Sequence, residues 1–309
     1  MSELKPILDL FETAGQQLPP IPDAAHLVAC GHQLVSRKSL PGVKVEAVAL
    51  KGGIDARIVI ASGTRVDQPI HLCFALLPHF NVQNVNIALT MEPGAAATIW
   101  SHCLFSTPLA ARHTMQGEIR LMEEAVLHYQ EAHYHGASGD IVVAPHARVT
   151  LEQGAHYKAE FSLIQGRVGR LDIDYAVDVG EAAVAELVSR IYGFSSDSIR
   201  IREQLALNGP NAKGLLKSRV AVRDEARAEV VNIMEGNAAG ARGHVDCMEI
   251  IRDHAVVSAV PEVRVRHPQA KVTHEAAIGS VDSRQLETLM ARGLGPEEAV
   301  DLIVRGMLA

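Results

Sequence analysis

Aromatic residues are scarce in this 309-residue chain: one Trp, five Tyr and six Phe make up 4% of it. Apolar residues reach 48%, so the core has to be built from Val, Ile, Leu and Ala. Positive charge is also short, with 29 Lys plus Arg against 36 Asp plus Glu and a net charge of −7. Such a surface has no general attraction for nucleic acid. No stretch approaches the roughly 18 uninterrupted apolar residues that mark a membrane-spanning helix. The start, MSELKPILDL, does not read as a signal peptide, because Glu3 comes early and Pro6 interrupts the apolar stretch. A cytoplasmic location is expected. Cysteine is limited to Cys30, Cys73, Cys103 and Cys247, none in a CxxC pair. A disulfide framework is not expected in a chain with a core of its own, and each thiol reads first as buried. Nucleotide-binding glycine loops, HExxH, GxSxG and a calcium loop are all missing. Nucleotide hydrolysis by the chain itself is therefore not expected.

What is present is a long β texture. Leu4, Ile7, Leu8 and Phe11 recur at helical spacing, and a second helix is expected over roughly 23–36 with Asp23 as its cap. After Pro41-Gly42 the pattern changes to short alternating runs such as Ala97-Thr98-Ile99-Trp100, Arg148-Val149-Thr150-Leu151 and Val220-Ala221-Val222-Arg223. Several follow a turn and small residues, as in Glu92-Pro93-Gly94-Ala95, Glu152-Gln153-Gly154-Ala155 and Asp178-Val179-Gly180-Glu181-Ala182, at irregular spacing. A mainly β chain is expected. A right-handed parallel β-helix fits best, with flanking helices at both termini and a doubled β-sandwich as the alternative. The expected parts are a helical segment over 1–41, the β-helix over 42–275 and a helical segment over 276–309. Gly94, Gly154, Gly180 and Gly209 are expected at or near corners. At the end, Asp282 or Ser283 caps one helix and Pro296 opens another, with an acidic first turn and Arg305 near its close.

Two clusters can carry chemistry. His133 and His135 share a face if their segment is a strand, and two imidazoles on one face can chelate a metal. The alternative is a pair of surface histidines beside the turn at Gly136. The second cluster is His244, Asp246, Cys247 and Glu249, followed by His274 and Glu275. Alternation puts Cys247 on the face of Val245 and Glu249. A thiolate, an imidazole and a carboxylate together can hold iron or zinc, and a thiolate can carry sulfur. A core cysteine among satisfied polar residues is the plainer reading. Asp172 and Asp174, two apart in a strand, read as a solvated face.

Residues 271–279 read Lys-Val-Thr-His-Glu-Ala-Ala-Ile-Gly. A helix bearing Leu286 follows, then Ala-Arg-Gly-Leu, Pro-Glu-Glu-Ala-Val and Leu-Ile-Val-Arg-Gly. This resembles the carboxyl-terminal signature of the SufB/SufD family, the scaffold proteins of the SUF iron–sulfur cluster assembly system. The upstream Gly-His-Val-Asp-Cys-Met-Glu-Ile resembles the stretch in which SufB carries its functional cysteine, although the usual Thr-Gln-Cys-Asp-Ser reads Val245-Asp246-Cys247-Met248-Glu249 here. The resemblance implies a right-handed β-helix and a transient iron–sulfur cluster handled by Cys247, His274 and Glu275. It implies C-terminal helices that dock a SufC-type ABC ATPase, with Leu286, Leu289, Leu302 and Ile303 at helical spacing. It implies pairing through the β-helix, as a homodimer or with another SufB/SufD-type subunit, and a cysteine desulfurase system as the sulfur source. The His-Glu pair at 274–275 points to a compact, SufB-like member. A SufD-like subunit that steadies the complex without holding a cluster is the alternative, and roles for Cys73 or Cys103 stay open.

Overall fold

The computed structural model describes residues 23–76, 81–105 and 110–308. Its strands are β1 (His26–Cys30), β2 (Gln33–Lys38), β3 (Val43–Leu50), β4 (Gly53–Ile60), β5 (Ile70–Leu76), β6 (Val82–Met91), β7 (Ala96–Phe105), β8 (Ala111–Leu121), β9 (Val126–His135), β10 (Ile141–Leu151), β11 (His156–Gln165), β12 (Gly169–Val179), β13 (Val184–Gly193), β14 (Ser198–Leu207), β15 (Lys213–Val222), β16 (Arg227–Gly236), β17 (Arg242–Ile251), β18 (Val256–Val265) and β19 (Lys271–Gly279), followed by α1 (Ser283–Met290) and α2 (Pro296–Leu308). From β4 (Gly53–Ile60) onward the strands are dealt alternately to two sheets. Among the described residues one sheet has ten strands, in the order β19-β17-β15-β13-β11-β9-β7-β5-β1-β2. The other has nine, ordered β18-β16-β14-β12-β10-β8-β6-β4-β3. Strands two apart in sequence pair in parallel, so each full turn of chain lies on the one before it. Val126 pairs with His156, and Val184 with Lys213. This is a parallel β-solenoid with two sheets facing one core.

Alternation builds each strand. In β6 (Val82–Met91) the burial runs exposed, buried, exposed, buried almost throughout, as period-2 geometry requires of a strand with one face on the core. Equivalent residues of successive turns stack as in-register columns. The corner before the six strands that start at Ala96, Val126, His156, Val184, Lys213 and Arg242 is one such column. Gly94, Glu124, Gly154, Ala182, Asn211 and Gly240 all adopt a left-handed φ between +52° and +69°. The alanine after each of them (Ala95, Ala125, Ala155, Ala183, Ala212 and Ala241) is fully buried. Gly180 and Gly209 also lie at corners, for a different reason. A Cβ on Gly180 would stand 2.4 Å from the Leu151 carbonyl oxygen, and one on Gly209 would stand 2.0 Å from the Glu181 nitrogen.

The N-terminal expectation needs correction. The helix anticipated around Leu4 to Phe11 lies outside the described residues. The one over 23–36 is instead a hairpin of β1 and β2 (Gln33–Lys38), closed at Gly31 with φ +56°. All five residues of β1, His-Leu-Val-Ala-Cys, are buried, and the strand also pairs in parallel with β5 (Ile70–Leu76). A short, continuously apolar run fits a buried strand as well as a helix; pairing on both edges decides it. Among the described residues, flanking helices are thus seen after the solenoid only.

The C-terminal helices follow their sequence signals. Asp282 caps α1 by accepting from the Gln285 N–H at 2.9 Å, and α2 runs past Arg305 to Leu308. Val300, Val304 and Leu308 pack on Tyr192 and Ala221. The Tyr192 hydroxyl donates to Asp301 at 3.0 Å, and Arg252 holds Glu297. None of the described helices is long and apolar enough to cross a membrane.

Candidate functional site

The resemblance-based residues separate on the structure. β17 (Arg242–Ile251) lies beside β19, with Val245 opposite His274, Asp246 opposite Glu275 and Cys247 opposite Ala276. In a parallel ladder, opposite residues point to the same side. His274 therefore continues the inward column of Val245 and stands diagonally from Cys247, about 8 Å away by strand geometry. Glu275 continues the outward column of Asp246, on the other face of the sheet. The structure brings His274 toward Cys247 and does not bring Glu275. His244 also points outward, with Nδ1 2.8 Å from the Thr273 hydroxyl. Asp246 is held by Arg219 in a two-point ion pair at 2.6 and 3.0 Å, which lowers its pKa.

Cys247 is 2% exposed. The Asn232 side-chain amide, from the facing sheet, donates to its sulfur at 3.2 Å and to Ser218 Oγ at 3.3 Å. Burial raises the thiol pKa. Glu249, two residues on and inward, is pushed up to about 7 by burial. His274 is exposed, because β18 (Val256–Val265) and β19 form the last turn and, among the described residues, no further strand covers them. Val263, Val265 and Ile278 are exposed large apolar residues on this turn's inward columns, with Val256 and Val260 on its outer face.

Among the four hydrophobic residues expected to dock a partner, Leu286 packs with the cluster that seats α2 against the solenoid. Leu302 is 51% exposed, while Leu289 and Ile303 are half-buried. Ile303 lines a groove of about 640 Å³ between α2 and the ends of β17 and β19, shared with Met248, Ile250 and Ile278.

His133 and His135 do share a face, and it is the core face rather than the surface. His133 is 2% exposed, its Nδ1 3.4 Å from His135 Nε2. His135 Nδ1 is bound to the Arg167 carbonyl at 3.1 Å. His128 points outward to Glu160 at 2.6 Å. Sequence reasoning missed the partners of His133. Cys103 lies directly opposite it one turn earlier, Glu131 precedes it by two residues, and His113 faces it from the other sheet. Donor atoms of Cys103, Glu131 and His133 lie within 4.8 Å of one another, and all three residues are buried. The signal was a separation of one turn between Cys103 and His133, which is readable only once the repeat is known. Burial pushes Glu131 up to about 8 and His133 down to about 3, so the pair is neutral. A cavity of about 40 Å³ beside Glu131 is lined by Tyr129, Tyr157, Tyr175 and Glu203. Asp172 and Asp174 are ion-paired on the outer face, Asp174 with Arg148 and Arg202 at 3.2 and 3.1 Å.

Fold and site together define a class: a two-sheet parallel solenoid with buried thiols and a last turn left open. The family described as "SUF system FeS cluster assembly, SufBD core domain" matches residues 78–307. An iron-sulfur cluster assembly SufBD family protein of Methanocaldococcus jannaschii is 39% identical over 267 residues, covering 86% of this chain and 84% of that protein. One of Pyrococcus horikoshii is 35% identical over 284 residues, covering 92% and 86%. One of Archaeoglobus fulgidus is 26% identical over 250 residues, covering 80% and 66%. The chain belongs to the SufBD family of iron–sulfur cluster assembly proteins.

Proposed function

We propose that this chain is a cytoplasmic, non-enzymatic scaffold on which iron–sulfur clusters are assembled and released, driven by a SufC-type ABC ATPase. The observation that carries this reading is the open last turn: Cys247 lies beneath it, His274 stands on its bare edge, and Val263 and Val265 are exposed on the inward columns of the same turn. A small cluster needs several soft or borderline ligands. One chain offers a thiol and an imidazole there, so a second SufB/SufD-type subunit, a second copy of this chain in the simplest case, completes the set by covering the same turn. Glu275 faces the outside and serves pairing rather than ligation. The solenoid is taken as right-handed, as the resemblance implies. α1 and α2 present Leu302, Leu289 and Ile303 to the ATPase, while Leu286 holds α1 to the solenoid. ATP-driven movement of the paired ATPases then opens the interface, where iron and desulfurase-derived sulfur meet.

The test is anaerobic reconstitution with iron and sulfide of wild type, Cys247→Ser and Cys30→Ser, prepared side by side. Cys247→Ser should fold and pair normally yet retain far less iron and acid-labile sulfide than Cys30→Ser. Equal content in the two variants sinks the role of Cys247. The burial of Cys247 favours one second reading, a SufD-like subunit that steadies the complex without a cluster; the equal-content result would select it.

A further inference from the structure

The buried knot around Cys103 stands apart from Cys247, and its proton positions can be read from its fixed ends. A carbonyl oxygen only accepts, so His135 Nδ1 carries the proton shared with Arg167 at 3.1 Å. Neutral His135 then leaves Nε2 bare to accept from His133 Nδ1 at 3.4 Å. That leaves His133 Nε2 bare, 2.7 Å from Glu131 Oε1, and the proton between them sits on the carboxyl. From the other side, the Gln83 amide nitrogen donates to the Gly31 carbonyl at 2.7 Å. Its Oε1 therefore accepts from His113 Nδ1 at 2.9 Å. His113 Nε2 is bare in turn and faces the Cys103 thiol at 3.7 Å. Two lone-pair nitrogens thus converge with two acid protons, one on sulfur and one on oxygen, in a region where all four residues are at most 4% exposed.

We propose that this knot is a binding site for one divalent first-row cation, Zn²⁺ or Fe²⁺. The ligands are Cys103 Sγ, a Glu131 carboxylate oxygen, His133 Nε2 and His113 Nε2. The exchange balances: one M²⁺ enters, the thiol and carboxyl protons leave, and the charge of the buried site stays the same, as a low-dielectric interior demands. One thiolate, one carboxylate and two imidazoles are a tetrahedral set suited to these ions. Metal–ligand bonds of about 2.0–2.3 Å place tetrahedral ligands about 3.3–3.8 Å apart. Donor atoms of Cys103, Glu131 and His133 already lie within 4.8 Å of one another, and His113 Nε2, 3.7 Å from Cys103 Sγ, has to close on the other two to complete the set. His135 and Gln83 are positioning residues that fix the tautomers of the two histidine ligands. The site does not depend on the scaffold reading, since it stands whether or not Cys247 handles a cluster.

The experiment refolds the full chain anaerobically with Co²⁺, Zn²⁺ or Fe²⁺, strips loose metal with EDTA and counts what stays. The expected result is one ion per chain, and for cobalt a thiolate-to-metal charge-transfer band with tetrahedral ligand-field absorption. Cys103→Ser should abolish the charge-transfer band and cut retained metal at least tenfold, while Cys247→Ser keeps both. Glu131→Gln, which preserves shape, should also cut retention at least tenfold, with far-UV circular dichroism confirming the fold. Less than a tenth of an ion per wild-type chain overturns the proposal. So does a band that survives Cys103→Ser, or one lost in Cys247→Ser alone.

Discussion

The two ends of the solenoid are finished differently. At the N-terminal end each sheet closes with an antiparallel hairpin, β1 with β2 and β3 (Val43–Leu50) with β4. β3 is an edge strand, yet its inward residues Val43, Val45 and Ala47 are 3–6% exposed. At the C-terminal end β18 and β19 run parallel to their neighbours and stop, and neither has one buried residue. An edge strand offers unpaired backbone and, if uncapped, apolar side chains, and proteins ordinarily protect it. The protected end carries its own lid, and the bare end is the one to which function should be assigned.

The comparison can be broken by mutation. The largest effect is expected deep between the ends. Leu216, fully buried in β15 (Lys213–Val222), should cost about 2–5 kcal/mol when changed to Ala, measured by urea unfolding. Val272→Ala on the bare last turn should cost far less in the monomer. A loss at Val272 equal to that at Leu216 would mean that the last turn is not bare in solution.

The next effect separates the ends directly. Val263→Asp should weaken self-association by about 2–3 kcal/mol, as loss of a central interface residue does. Val48→Asp, equally apolar and 62% exposed at the other end, should leave the oligomeric state unchanged. Light scattering after size exclusion reads both. Weaker self-association in Val48→Asp would reverse the assignment of the ends.

A third prediction concerns pH. Burial raises Glu203, in the closed middle, to about 7. For an acid with a raised folded pKa, the unfolded state releases its proton first as pH rises. Glu203 therefore favours folding below about pH 4.5 and progressively less up to about 7, and above that a buried charge is carried. Glu203→Gln should raise the melting temperature at pH 8 and change it little at pH 5. Glu249→Gln should act the same way but less, being one turn from the open end. A Glu203→Gln gain that is equal at both pH values would show that packing, not charge, is responsible. The smallest effect belongs to Asp282→Ala, which removes the cap of α1 and should cost about 0.5–2 kcal/mol locally, seen as faster amide exchange over 283–290 with no change in the solenoid.

Much of the architecture was legible because alternation and small corner residues are local signals. The period was not, because the left-handed corner tolerates different residues as long as φ is positive. Gly94 and Gly154 announce it, but Glu124, Ala182 and Asn211 at the same position do not. The constant feature is the buried alanine that follows, and alanine is too common to stand out. β1 was misread because a five-residue run buried on both faces carries no period. At the sites, His133 and His135 were legible as a same-face pair. Their burial and the arrival of Cys103 and His113 were not, since those come from another turn and another sheet. The facing of Glu275 was not legible, because a motif gives adjacency along the chain and adjacent residues in a strand face opposite ways.

Stacked turns also make the solenoid a ruler. Cys103 lies in β7 (Ala96–Phe105) and Cys247 in β17, with β9, β11, β13 and β15 between them in one sheet. Five inter-strand steps of about 4.8 Å set the two thiols about 24 Å apart along the stacking direction. That separation is quantised: it changes only by whole turns, each adding or removing one step. Insertions at corners alter the surface without touching the distance, whereas duplication of one turn would lengthen it by a single graduation and leave every other column in register.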